Sequence, residues 1–187
     1  MRPPPPQSPA CARCPKVLGK SCCEPRGTES LAMLTRADVE RISAHTRLSP
    51  RRFTREEAVT EQEAMDFENR WPLYRGYFLR GPVSLTLLAR EGACVFYDRE
   101  AGCTLPSDVR PVACRLYPFE QWSDGRWSLA MGRYGDLAEA REQGGACLAV
   151  EESESMEQVF AAFGTTSEVV EALGTQLAEE ARSHGRG

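Results

Sequence analysis

The sequence predicts an α+β fold, mostly helical: a small irregular domain with a β-hairpin and a C-terminal helical pair. Three observations predict it. Helix-start signals of the Thr-x-x-Asp/Glu type stand at Thr35 and Thr54, short β-prone runs lie between Trp71 and Tyr97, and apolar residues at helical spacing run from Met156 to Leu177. At 187 residues the chain fits one domain of ordinary size. Its expected divisions are a disordered proline-rich lead over 1–10, a cysteine-bearing domain over 11–150 and a helical segment over 151–187.

Taken in order, Cys11 to Cys23 form a compact segment with Pro15 and Gly19 that suits loops and turns. Thr35, with Asp38 three residues on and Leu34 able to pack on Val39, predicts a helix running to about Ala44. Thr54 with Glu57 predicts a second helix, from Arg55 to about Glu68, whose charges form a solvated face. Val83, Leu85 and Leu87 alternate with Ser84 and Thr86 as in a strand, and Ala93–Tyr97 is a second short β-prone run. Pro111 suits the first turn of a short helix that Pro118 stops. The strongest hairpin signal is Asp124-Gly125; a two-residue turn there sets Trp122 opposite Trp127, a pair expected to pack rather than to stack a ligand. Met156, Val159, Phe160 and Phe163 make one helical stripe closed by Gly164. Thr165 with Glu168 then opens another, carried by Val169 or Val170, Leu173 and Leu177.

Composition excludes several function classes. A net charge of −4 is not the basic footprint of a nucleic-acid binder. The longest apolar run, near Val83–Ala89, is far too short to span a bilayer, so no membrane association is expected. No apolar stretch follows Met1-Arg2, and Arg51-Arg52 lie too deep to be an export signal, so the expected compartment is the cytoplasm. There thiols stay reduced, and eight cysteines read as metal ligands ahead of four disulfides or eight inert buried thiols.

The cysteines fall into two groups: Cys11-x2-Cys14-x7-Cys22-Cys23, and Cys94-x8-Cys103-x10-Cys114 with Cys147 later. A Cys-x2-Cys pair lets two sulfurs converge on one ion from a tight turn. Adjacent Cys22 and Cys23 cannot both reach a small ion without strain, because neighbouring side chains diverge in a strand or a helix. A closed site from the first group alone is therefore awkward, and the second group lacks a nearby fourth sulfur. A site shared between the groups relieves both shortages, while eight thiolates also suffice for two four-sulfur centres, with Cys22 and Cys23 serving neighbouring ones, or for one cluster with spares. His184 falls in a tail expected to fray and His45 at a helix end, so neither counts as a ligand. An all-sulfur set favours zinc, iron–sulfur clusters or Cu(I). Arg110 and Arg115 flank Cys114, where guanidinium groups could offset the charge of a thiolate centre and donate to sulfur, or simply form surface ion pairs.

The runs Ala93-Cys94-Val95-Phe96-Tyr97, Gly102-Cys103-Thr104-Leu105 and Arg110-Pro111-Val112-Ala113-Cys114-Arg115-Leu116-Tyr117-Pro118-Phe119 resemble the YkgJ or CxxCxxCC cysteine-cluster family, known as zinc- or iron-chelating. The resemblance covers roughly 11–150. It matches Cys11, Cys14, Cys22 and Cys23 to the family's N-terminal cysteines, Cys94 and Cys103 to its middle pair, Cys114 to its RPxxCRxxPF run and Cys147 to a late cysteine. Seven residues stand between Cys14 and Cys22 where the family name has two. The resemblance implies metal binding and little else; with the all-sulfur set, the leading expectation is a metal-centred domain holding a 4Fe–4S type cluster or zinc, in a structural, redox or partner-handling role. Two alternatives stand beside it. One is a protein-modifying enzyme resembling flagellin lysine N-methylases, which carry a related cluster; no glycine-rich nucleotide turn supports it here. The other is a zinc-stabilised module meeting a protein partner through its acidic C-terminal helices.

Overall fold

The computed structural model describes residues 13, 16–17, 21–24, 31–129 and 147–186. The proline-rich lead over 1–10, Cys11 and Cys14 lie outside the described residues. The architecture is α+β, with short antiparallel hairpins and C-terminal helices.

Helix α1 (Arg36–Thr46) starts as its sequence signal requires. The Thr35 hydroxyl accepts the Asp38 N–H at 3.0 Å while the Asp38 carboxylate accepts the Thr35 N–H at 2.9 Å, a complete capping box. Leu34 and Val39 pack into the same cluster.

The second helix start is corrected. Residues Thr54–Ala58 form strand β1, and helix α2 (Glu61–Arg70) begins six residues later, with Thr60 and Glu63 making the capping box. Thr-x-x-Glu occurs at both places in the sequence, and a tertiary need decides between them. β1 pairs antiparallel with β2 (Val83–Leu87), from Thr54 opposite Leu87 to Ala58 opposite Val83. Fully buried Phe53 pins the segment there, its carbonyl accepting the Leu88 N–H at 2.8 Å. Extended pairing satisfies the backbone of both segments and overrides the local cap.

β2 stands where the alternation placed it, but Ser84 and Thr86 are buried and Val83 is exposed. Both edges of β2 are in use, because residues 32–34 lie along the other side, with Leu34 N–H donating to Leu85 C=O at 2.7 Å and Leu87 N–H to Ala32 C=O at 3.0 Å. The two buried hydroxyls face carbonyls of β1, Ser84 Oγ lying 3.3 Å from the Glu57 oxygen, so their burial is compensated.

Two small hairpins follow: β3 (Ala89–Arg90) with β4 (Ala93–Cys94), and β5 (Tyr97–Asp98) with β6 (Gly102–Cys103). Helix α3 (Val112–Leu116) begins after Pro111 and ends before Pro118, as expected. The next hairpin joins β7 (Phe119–Gln121) to β8 (Trp127–Leu129), and its register corrects the sequence expectation. Trp127 faces Gln121, not Trp122; Trp122 instead donates its N–H to Arg126 C=O at 2.8 Å. Gly125 N–H closes back onto Trp122 C=O at 2.9 Å with Gly125 at φ +85°, so the loop has one residue more than a two-residue turn. Trp122 bonds the Ser128 hydroxyl and stays partly exposed.

The chain closes with α4 (Leu148–Glu151), α5 (Met156–Ala162) and α6 (Ser167–Arg186). Gly164, at φ +64°, separates the last two. Val170, Leu173 and Leu177 form the buried stripe of α6 and Val169 is exposed. His184 is not frayed: it lies within α6, its ring stacked on Tyr77 at 4.1 Å, because Gly185 lets the helix approach the 76–79 loop closely.

Two apolar cores result. One gathers Leu34, Ile42, Phe53, Leu87, Cys94, Phe96 and Leu105. The other gathers Val112, Leu116, Phe119, Leu129, Cys147, Val150 and the faces of α5 and α6. No described helix is long and apolar enough to cross a membrane.

Candidate metal centre

The two cysteine groups meet at the first core. Cys94 donates its backbone N–H to Cys23 C=O at 2.8 Å, so the first cysteine segment lies along β4 although 70 residues separate the two thiols in sequence. Cys23 and Cys103 both pack against the cluster that contains buried Cys94. Cys103 sits opposite Tyr97 in the β5–β6 hairpin. The N-terminal segment is further held by Glu24, whose carboxylate pairs with Arg99 at 3.2 Å and accepts the Ser21 N–H at 3.0 Å.

Cys114 arrives from the other side. Val112 and Leu116 share one face of α3, four residues apart, and bury it in the second core. Cys114, two residues from each, leaves on the opposite face of α3. Its side chain is reached by solvent, yet protein surrounds it closely enough that desolvation leads its perturbation.

The electrostatics describe a set of thiols that feel one another. Burial pushes Cys94 up to about 12, and the charges of Cys23 and Cys103 add to it. Burial also raises Cys103, against the opposing Arg110 charge. Cys114 is raised well above the ordinary thiol value by burial, then by Cys23, Cys94 and Cys103. Cys23 alone moves the other way, to about 7, because Cys22 donates a hydrogen bond to its sulfur and because Ser21 and Arg110 add to the effect. Thiolates that repel one another this way fit a soft cation, which ionises them together. The donor chemistry therefore suits zinc or iron. Among the described residues, no three Cys, His, Asp or Glu side chains converge on one ion position. An ion held by three or more of the described thiols requires them to draw closer than they stand.

The remaining candidates divide. Cys22 is exposed beside part-buried Cys23, as their adjacency suggests. Arg110 donates to the Cys103 sulfur and to Leu105 C=O at 3.0 Å, which puts its charge at the thiols. Arg115 turns to α6, with Nη1 3.4 Å from the Gln176 oxygen. Cys147 belongs to the second core, packed with Val112 and Leu116 of the Cys114 helix. Sequence reading saw Asp38 only as a cap; its bond to the backbone of α3 carried no local signal.

Fold and site together define a cysteine-rich α+β domain in which the Cys23 segment lies against the Cys94 strand and Cys23 and Cys103 pack on the same core. The family model CxxCxxCC, described as "Putative zinc- or iron-chelating domain", matches residues 10–133. The chain belongs to that family, and its description supports metal binding in general. Comparison with curated proteins and with solved structures finds no match.

Proposed function

We propose that this protein holds zinc or an iron–sulfur centre through four thiolates drawn from both cysteine groups, Cys23, Cys94, Cys103 and Cys114. The observation that carries this reading is the backbone bond from Cys94 to Cys23, which brings the two groups side by side. Arg110 offsets thiolate charge through its bond to Cys103. The bound group would supply a cross-link between the N-terminal segment and the first core, and, if it is an iron–sulfur centre, an electron-carrying site as well. Solvent access at Cys22 and Cys114 favours a centre that a partner can reach.

Anaerobic purification with elemental analysis and a visible spectrum tests the proposal. Iron with sulfide and visible absorption identifies a cluster, and colourless stoichiometric zinc identifies a zinc site. Cys23→Ser or Cys94→Ser should each remove most of the bound metal. Full metal content in both variants would sink the shared-site reading.

A further inference from the structure

A buried carboxylate ties three elements together at the foot of the Cys114 helix. Asp38 is fully buried in α1. Its Oδ2 serves the capping box, and its Oδ1 reaches across the fold to accept the backbone N–H of Val112, the first residue of α3, at 3.0 Å. Oδ1 also accepts from Arg41. Arg41 in turn donates from Nη1 to Glu180 of α6 at 2.6 Å, and Glu180 additionally accepts from the Thr35 hydroxyl at 2.7 Å and Gln176 at 2.8 Å. Arg115, next to Cys114, closes the ring through Gln176.

Capping α1 needs only the Thr35–Asp38 pair. The bond to Val112, the Arg41 pair and the commitment of Glu180 go beyond it. A buried ion network is a poor means of gaining stability, because desolvation offsets most of the attraction and apolar packing does as well. What such a network does well is hold geometry, and the geometry held here is the start of a five-residue helix whose third residue is Cys114. Carboxylates bonded behind metal ligands orient those ligands directly, and Asp38 acts one step further back, through the backbone of the helix that carries Cys114.

We propose that Asp38, Arg41 and Glu180 are positioning residues for Cys114: through them α6, which lies beyond the matched residues 10–133, sets where the Cys114 thiol stands at the metal centre. The proposal rests on Cys114 being a ligand.

Co(II) titrated into the metal-free full-length chain tests it, since thiolate-bound Co(II) is coloured. Asp38→Asn and Glu180→Gln should bind Co(II) about ten- to a hundredfold more weakly, with an altered visible spectrum. In a Cys114→Ser background the same two substitutions should cause no further loss, because their effect passes through that sulfur. Ala64→Gly, a helix-weakening change in α2 outside both cores and the network, controls for stability and should leave Co(II) affinity at the wild-type value while lowering the melting temperature. If Asp38→Asn does not fold, Glu180→Gln, at the rim of the network, carries the test. The proposal is overturned if Glu180→Gln binds Co(II) as wild type does, if its loss persists without Cys114, or if Ala64→Gly weakens binding equally. A wild-type chain that takes up no Co(II), zinc or iron would instead bring down the metal reading, and the positioning role with it.

Discussion

At the scale of single residues, His184 shows how packing changes what a side chain does. Its ring lies flat on Tyr77, whose hydroxyl donates to Leu34 C=O at 2.7 Å and accepts the Leu85 N–H at 3.1 Å. The imidazole is held neutral: burial lowers its pKa from 6.5 to about 4, and the charges of Arg36 and Arg80 add to the shift. Its buried Nδ1 has no hydrogen-bond partner among the described residues. The unfolded chain binds this proton near pH 6.5 and the folded chain only near pH 4, so stability is intact above the first value and falls as pH drops toward the second. Allowing for partial solvent screening, the loss should be about 2 kcal/mol. Urea midpoints measured across that window should show the slope. His184→Phe, which keeps a ring on Tyr77 but cannot titrate, should flatten it. An unchanged slope in that variant would assign the acid sensitivity to other groups.

At the scale of elements, α6 is the piece on which the rest is aligned. It packs on α1, α3 and the Pro72–Tyr74 turn, and two of its glycines permit the approach. A Cβ on Gly174 would lie 2.7 Å from the Trp127 indole, a side chain able to shift. A Cβ on Gly185 would lie 1.8 Å from the Gly76 carbonyl oxygen, and backbone cannot step aside without moving the whole loop. Gly185→Ala should therefore cost about 1–3 kcal/mol and lift the end of α6 off Tyr77. The checks are a lowered denaturation midpoint and loss of hydrogen-exchange protection over residues 180–186. A variant as stable as wild type would show that α6 can dock without that close approach.

At the scale of the whole molecule, the cysteines sit between two cores. Cys94 belongs to one, Cys147 to the other, and the Cys114 helix buries Val112 and Leu116 in the second. A metal bound there adds a link to a segment whose described contacts include one backbone bond, the packing of Cys23 on the first core and surface ion pairs, Glu24 with Arg99 and Arg13 with Glu152, each of little worth by itself. Binding to the native state alone stabilises by about 3 kcal/mol when free metal stands at a hundred times its Kd. Chelation should then lower the melting temperature by about 10 °C for a domain of this size, with recovery on adding metal back. Identical melting curves for loaded and metal-free protein would rule out a structural tether.

Local signals were legible wherever the physics is local. The α1 cap at Thr35, the short helix between Pro111 and Pro118, the β2 run and the apolar stripe of α6 each follow from a few neighbouring residues, and the Cys-rich motifs were enough to indicate the family. Tertiary structure decided the rest. It chose between two equivalent Thr-x-x-Glu caps by giving β2 a partner, buried Ser84 and Thr86 with their hydroxyls beside β1 carbonyls, and widened the Trp122–Trp127 turn by one residue. It also decided that Cys23 lies beside Cys94, that Arg110 faces the thiols while Arg115 faces α6, and that Asp38 reaches α3. Each of these depends on backbone groups or charges far apart in the chain finding partners once burial removes water. No pattern of adjacent residues encodes that requirement.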